Sequence, residues 1–163
     1  MPELPEVETV CRGLNQLTFG QTIEGAEVLL DRTLAYPPSS QEFLDQIQNA
    51  TFDKWQRRGK YLLVPLQEKK GWLGVHLRMT GQLLWVKENE PLSRHTRLRL
   101  FCNQSQELRF VDIRTFGKVW WVPPQPTSGK HHHRTAKIGS RTLCKGIFYR
   151  LLHRQVKTSS AQY

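Results

Sequence analysis

Between residues 20 and 122 the apolar residues come in short runs, several of them alternating one-in, one-out, and each ends in a polar or glycine-containing turn. A chain punctuated in this way builds sheets, and a helical bundle is excluded. The runs fall at residues 22–30, 50–55, 61–66, 72–76, 82–87, 96–102, 108–111 and 118–122. Arg57-Arg58-Gly59-Lys60 reads as a turn before the third run, and Arg78-Met79-Thr80-Gly81 separates the fourth from the fifth. Residues 96–102 alternate cleanly, with Arg97 and Arg99 on the outer face, and pair through Asn103-Gln104-Ser105-Gln106 with 108–111. The N-terminus departs from this pattern. Val7, Val10, Cys11, Leu14 and Leu17 share one helical face, Glu6 and Glu8 lie where a helix dipole favours acid, and Gly20 is a natural stop. The expected fold is mainly β: an N-terminal helix followed by a two-sheet β-sandwich of about eight strands.

The charge is unevenly placed. The 163 residues carry a net charge of +10, which points first to a polyanionic partner. Yet residues 1–128 hold 16 of the 24 basic residues and all 14 acidic ones, a net of only +2. Residues 129–163 hold the other eight basic residues, no acid and four of the six histidines. The change of character near Pro123-Pro124-Gln125-Pro126 suggests a boundary, with a domain over 1–126 and a basic tail over 127–163 that is irregular or partly helical. The longest apolar runs, 62–66 and 83–86, are too short to span a bilayer, and the acidic, proline-rich opening resembles neither a secretory signal nor a transit peptide. Cys11, Cys102 and Cys144 are scattered and odd in number, with no C-x-x-C pair. A cytosolic thiol protein is expected, with no zinc site.

Met1-Pro2 is a start from which the initiator methionine is normally removed, leaving the ring nitrogen of Pro2 as a free secondary amine. An α-amine has a reference pKa near ~8, and a helix N-terminus lowers it, so part of it is a free nucleophile at neutral pH. Condensed with an aldehyde, a secondary amine gives an iminium whose fixed positive charge is an electron sink for elimination. Glu3 is adjacent and can carry protons at the same carbon. On residues alone, an ordinary proline-led helix start with acidic first-turn residues is the better explanation of the segment.

The opening Met1-Pro2-Glu3-Leu4-Pro5-Glu6-Val7-Glu8-Thr9-Val10 resembles, almost residue for residue, that of the formamidopyrimidine-DNA glycosylases. Three further segments agree in order and spacing: Arg57-Arg58-Gly59-Lys60-Tyr61-Leu62, His76-Leu77-Arg78-Met79-Thr80-Gly81 and Asp112-Ile113-Arg114-Thr115-Phe116-Gly117. The resemblance covers about residues 1–126, the family's N-terminal domain, and Leu4 matches the branch acting on oxidised purines. It implies a DNA glycosylase and AP lyase of base excision repair, acting on 8-oxoguanine and formamidopyrimidines in double-stranded DNA. By resemblance Pro2 is the nucleophile at C1′, Glu3 the acid/base at the sugar, and Lys60 a contact to phosphate and damaged base. Met79, Arg114 and Phe116 match the residues that fill the void left by a flipped nucleotide, a step that costs a few kcal/mol of unstacking.

His95 matches a histidine at the DNA backbone, although Thr96-Arg97 stand where the family often has Asp-His. Arg97 and Arg99 can share that phosphate work, and Arg78 reads either as a phosphate contact or as a solvated strand end. Trp55, Trp72, Trp85, Trp120 and Trp121 read as core and sheet packing. A monomer in the bacterial cytosol or nucleoid is implied.

The family's second half, a helix–two-turns–helix element and a four-cysteine zinc ribbon, has no counterpart in these residues, so no cofactor is expected in this chain. His131-His132-His133 lacks the companions of a metal site. A one-base shift in plausible codons for 139–149 reads GAEPFAKEYF, and from Gly129 it can read ENIITGLQKLGAEPF, similar to the Leu-Gly-x-Glu-Pro segment that follows the domain in the family. The expectation is a truncated member whose residues from about 129 are out of frame, its activity impaired. An inactive remnant that still binds damaged DNA and a purely structural sandwich are the competing readings.

Overall fold

A computed structural model describes residues 3–124. Pro2, the basic tail with its proposed change of frame, and His131–His133 lie outside the described residues.

The first helix, α1 (Leu4–Thr18), starts where the sequence places it. Pro5 sits in its first turn, and the Glu6 carboxylate reaches back to accept the Glu3 N–H at 3.2 Å, satisfying a donor the helix itself leaves unpaired. Gly20, at φ 78°, ends it. The buried stripe is Val7, Cys11, Leu14 and Thr18, while Leu17 is half exposed. Thr18 replaces Leu17 inside because its hydroxyl is fully used: it donates to the Leu14 carbonyl at 2.7 Å and accepts the Trp55 indole N–H at 2.8 Å.

Nine strands follow among the described residues, in two sheets. They are β1 (Ile23–Val28), β2 (Leu34–Tyr36), β3 (Gln56–Arg58), β4 (Tyr61–Pro65), β5 (Trp72–His76), β6 (Gly81–Lys87), β7 (Thr96–Cys102), β8 (Gln106–Asp112) and β9 (Lys118–Val122). One sheet has the order β1-β7-β8-β6 and the other β2-β9-β5-β4-β3; every pairing is antiparallel except β2 with β9. Leu62 and Val64, Leu73 and Val75, and Val119 and Trp121 join Leu98, Leu100, Leu108 and Phe110 of the other sheet and the α1 stripe in one core. The mainly β, helix-led sandwich is therefore the observed fold.

Two expectations are corrected. Residues 50–55 form no strand: Thr51 and Phe52 make isolated bridges to Thr22 and Leu66, and Asn15 of α1 takes both backbone groups of Trp55, at 2.6 and 3.0 Å. A second helix, α2 (Ser40–Ile47), lies where none was expected. Its signal is Ser39, whose hydroxyl accepts the Glu42 N–H, followed by Phe43 and Ile47 at helical spacing; the neighbouring Pro37-Pro38 hides it.

The feature that matters for function is a pair of crossovers between the sheets. Residues 77–80 carry the chain from β5 to β6, and residues 113–117 carry it back from β8 to β9. His76 is the register partner of Lys118, and Gly81 that of Asp112. Both ends of the two crossovers are thus paired, so the loops must run side by side at one edge of the sandwich.

Candidate functional site

Met79, Arg114 and Phe116 sit on these adjacent loops, all exposed; Met79 is 44% exposed and Phe116 54%. A guanidinium nitrogen of Arg114 lies 3.8 Å from the Met79 sulfur, so two members of the trio touch across the loops. Ile113, 61% exposed, adds an apolar side chain that sequence reasoning passed over. Its only signal was an isoleucine between two charged residues in a turn. Large apolar side chains displayed together on tight loops have no packing explanation and mark a surface that meets something else.

The loops are also strained. Arg78 has φ 55° and Thr115 φ 62°, the left-handed region that a non-glycine side chain occupies at a cost of roughly 1–2 kcal/mol. Each immediately precedes a displayed side chain, Met79 or Phe116. Each is held by a specific bond. The Arg78 N–H donates to His76 Nδ1 at 3.0 Å, and Arg32 donates to the Thr115 hydroxyl at 3.0 Å.

Lys60 lies in a two-residue loop with Gly59 between β3 and β4, since Arg58 and Tyr61 are register partners. Gly59 takes φ 58°, the positive value that hairpin turns matching strand twist require. Arg57 fixes this loop to α1: it pairs with Glu8 at 2.6 Å and donates to the Gly59 carbonyl at 3.2 Å. The Arg57 guanidinium, with help from Arg12, holds the Glu8 carboxyl below its usual pKa. Arg57 was read as part of a turn, yet it joins the helix that begins at Glu3 to the hairpin that carries Lys60.

His76 ends β5 between Lys60 and Arg78, packed edge-on to Tyr61 with ring centroids 4.6 Å apart. Burial first, then the charges of Arg78 and Lys60, push its pKa down to about 4. It is neutral at pH 7, and because Nδ1 accepts the Arg78 N–H, the proton sits on Nε2. Lys118, its register partner, is likewise lowered by burial and by Arg32 and Arg78. Lys60, Arg78, Arg32 and Lys118 therefore make one cationic rim around a neutral imidazole. The sign of the pH effect follows. The unfolded chain protonates His76 below about pH 6.5 and the folded one only below about 4, so stability falls as pH drops through that window. Urea unfolding at pH 7 and pH 4.5 should show a loss that His76→Gln largely removes.

His95 precedes β7, half-buried; its carbonyl accepts the Asp112 N–H at 3.0 Å, which ties it to the start of the 113–117 loop. The two arginines beside it turn inward. Arg97 donates to the Asp112 carbonyl at 2.9 Å, and Arg99 pairs with Glu107 and Glu27 while stacking over Phe101. Arg99 is thus a sheet-packing residue, and the phosphate work anticipated for both finds no support in their partners. Arg78 is exposed and part of the rim.

Between α1 and the 77–80 crossover runs an open groove lined by Glu6 and Val10 on one side and by Leu77, Met79, Gln82 and Leu84 on the other. It brings the first turn of α1, beside Glu3, to the loop that presents Met79. Glu3 itself is exposed at the helix start. No group of three or more His, Cys, Asp or Glu among the described residues could hold a metal ion. Cys11 and Cys102 are buried, and burial pushes the Cys102 thiol up to about 12, far from thiolate character. The four-cysteine zinc set implied by the resemblance does not fit these residues. No helix among them is long and apolar enough to cross a membrane.

The described residues thus form a helix-led sandwich that displays apolar and cationic loops along one edge, next to a groove and the carboxylate at the start of α1. The model of the formamidopyrimidine-DNA glycosylase N-terminal domain matches residues 1–119, and the chain belongs to that family. Formamidopyrimidine-DNA glycosylases of Crocosphaera subtropica and Rippkaea orientalis are 87% and 69% identical to it, over 76% and 78% of this chain. The chain spans 44% and 46% of their lengths. The enzyme of Trichodesmium erythraeum is 53% identical over 190 positions that take in 98% of this chain, so that alignment runs past residue 128. Among solved structures, Lactococcus lactis Fpg in complex with DNA containing FAPY-dG superposes with a TM-score of 0.69 at 30% identity, covering 74% of this chain and 44% of that one. The same protein bound to abasic-site DNA agrees equally well.

Proposed function

We propose that this chain carries the catalytic residues of a bifunctional DNA glycosylase and AP lyase of base excision repair that removes oxidised purines from double-stranded DNA. The observation that carries the reading is the pair of strained, adjacent crossovers presenting Met79, Arg114 and Phe116 beside the groove that starts at α1. Chemistry on a base requires the nucleotide to leave the stack. Met79 and Phe116 fill and wedge the gap, and Arg114 donates to the base left unpaired. The extruded nucleotide enters the groove, which Glu6, Val10 and Leu77 line.

The Pro2 nitrogen attacks C1′, the glycosidic bond breaks and the base departs. Opening of the sugar leaves an iminium between that nitrogen and C1′, whose charge acidifies a C2′ hydrogen for elimination of the 3′ phosphate and then, through the new C2′=C3′ double bond, the C4′ hydrogen for elimination of the 5′ phosphate. Glu3 carries protons at the sugar. Lys60 and the rim around His76 hold the flanking phosphates, the ammonium as a point charge and His76 through Nε2–H. The steps use an amine and a carboxylate, and no cofactor is assigned to them. A monomer in the bacterial cytoplasm fits this role.

Borohydride trapping on a duplex containing an oxidised guanine tests the reading. A covalent adduct through Pro2 supports it. Binding to the damaged duplex without an adduct would make the chain a lesion-binding protein, and failure of both would overturn the DNA reading altogether.

A further inference from the structure

Met79, His95, Arg114 and Phe116 hang from segments that meet at one carboxylate. Asp112 is the last residue of β8 and only 1% exposed. Its Oδ1 accepts the Thr80 hydroxyl at 2.5 Å, and its Oδ2 accepts the Gly117 N–H at 2.7 Å. Its own N–H donates to the His95 carbonyl. The Thr80 oxygen in turn accepts the Arg114 N–H at 3.1 Å. Thr80 follows Met79, Arg114 lies two residues past Asp112, and Gly117 follows Phe116. One carboxylate and one hydroxyl therefore stitch the Met79 loop to both ends of the Arg114–Phe116 loop. The packing leaves no slack: a Cβ on Gly117 would lie 2.5 Å from the Phe110 ring and 2.9 Å from Asp112 Oδ2.

We infer that the Thr80–Asp112 pair is a clasp that positions the two loops as one unit, so that Met79, Arg114 and Phe116 enter DNA together. Neither residue touches DNA; both act through the loops they join. The inference rests on the proposed reading that these loops enter the duplex, and its physical basis is separate from it. The alternative arrangement, two loops each free to relax its own left-handed residue, would present the side chains independently and lose the benefit of preorganisation. Thr80 is only half-buried, and valine matches its shape, so the substitution removes the hydroxyl without changing the volume and takes from Asp112 Oδ1 that one donor.

Two measurements on the full chain test the clasp. The first needs no DNA. Amide hydrogen exchange in Thr80→Val should accelerate at Arg114 and Gly117 by about tenfold, the worth of one lost hydrogen bond, while amides of β4 and β5 stay as in the parent. Thr80→Ser, which keeps the hydroxyl, should restore protection. Unchanged exchange in Thr80→Val, or no rescue by serine, overturns the inference whatever the chain does with DNA. The second uses a duplex with a tetrahydrofuran abasic analogue opposite cytosine and 2-aminopurine beside it. Thr80→Val should weaken binding to this duplex by about tenfold and blunt the 2-aminopurine signal, while binding to undamaged duplex shifts by less than about twofold. Equal binding by Thr80→Val and the parent, when the parent prefers the abasic duplex, overturns the clasp as a positioning device. If exchange responds as expected and the parent shows no preference for the abasic duplex, the clasp stands and the DNA reading fails.

Discussion

Glu3→Gln should release an oxidised purine from duplex DNA at about a hundredth of the parent rate or less, the usual loss when a general acid/base is removed. Pro2→Gly should be at least as damaging, because a primary amine replaces the secondary ring nitrogen. Both are read by single-turnover base release under excess chain, so that weaker DNA binding and slower chemistry separate. The Glu3 backbone keeps its role in either case: its carbonyl still accepts the Val7 N–H at 3.0 Å and its N–H still donates to Glu6. Glu3→Gln should therefore melt within about a degree or two of the parent, since these N-cap backbone bonds are kept and the exposed amide oxygen can accept as the carboxylate does. Normal base release by Glu3→Gln would remove the carboxylate from the mechanism, and normal release by both variants would end the glycosylase reading.

Trp55→Ala should be the most damaging change to stability. Trp55 is 1% exposed, stacks near Phe52 with ring centroids 5.9 Å apart, and is tied to α1 at three points by Asn15 and Thr18. Truncation leaves a cavity of indole size and strips the indole donor from the buried Thr18 hydroxyl, while the Asn15 bonds, made to the backbone of residue 55, remain. The loss should be about 3–5 kcal/mol, much of the stability of a small domain. Urea unfolding gives the number. Trp55→Phe keeps most of the volume and loses only the indole N–H, so it should cost about 1 kcal/mol. A Trp55→Ala chain as stable as the parent would mean that α1 is not held to the sandwich through this contact. The change also bears on function, because α1 carries Glu3 at its start and one wall of the groove.

What the sequence disclosed depended on how local each signal was. The strands at 72–76, 96–102 and 118–122 were legible because alternation or a continuous apolar run is written within each segment. α1 was legible for the same reason, down to Glu6 in its first turn. Thr18 was not, because its burial is decided by an indole nearly forty residues away. Residues 50–55 looked like a strand on composition and became a segment hydrogen-bonded to Asn15, a side chain on another element. The site divides the same way. Lys60, Met79, Arg114 and Phe116 stand in recognisable motifs, and the structure puts the last three on adjoining loops. His76, Arg57, Thr80 and Asp112 lie inside the same motifs but owe their roles to register pairs and to bonds between segments dozens of residues apart. Arg97 and Arg99 show the reverse error: arginines on the outer face of a strand looked available, and a buried carboxylate or a carbonyl had already engaged them.

The neutral His76 within the cationic rim has a consequence for how binding would respond to ions. A phosphate held by Lys60 or Arg78 displaces a condensed counterion from the DNA, and each such contact steepens the fall of affinity with salt by nearly one unit of slope. A phosphate that accepts the His76 Nε2–H displaces none, since the donor is uncharged and its tautomer is fixed by the Arg78 N–H. His76→Gln should then weaken binding by a similar factor at every salt concentration, whereas Lys60→Gln should matter most in dilute buffer. The rim would hold its phosphates in two currencies, one that ions compete with and one that they do not.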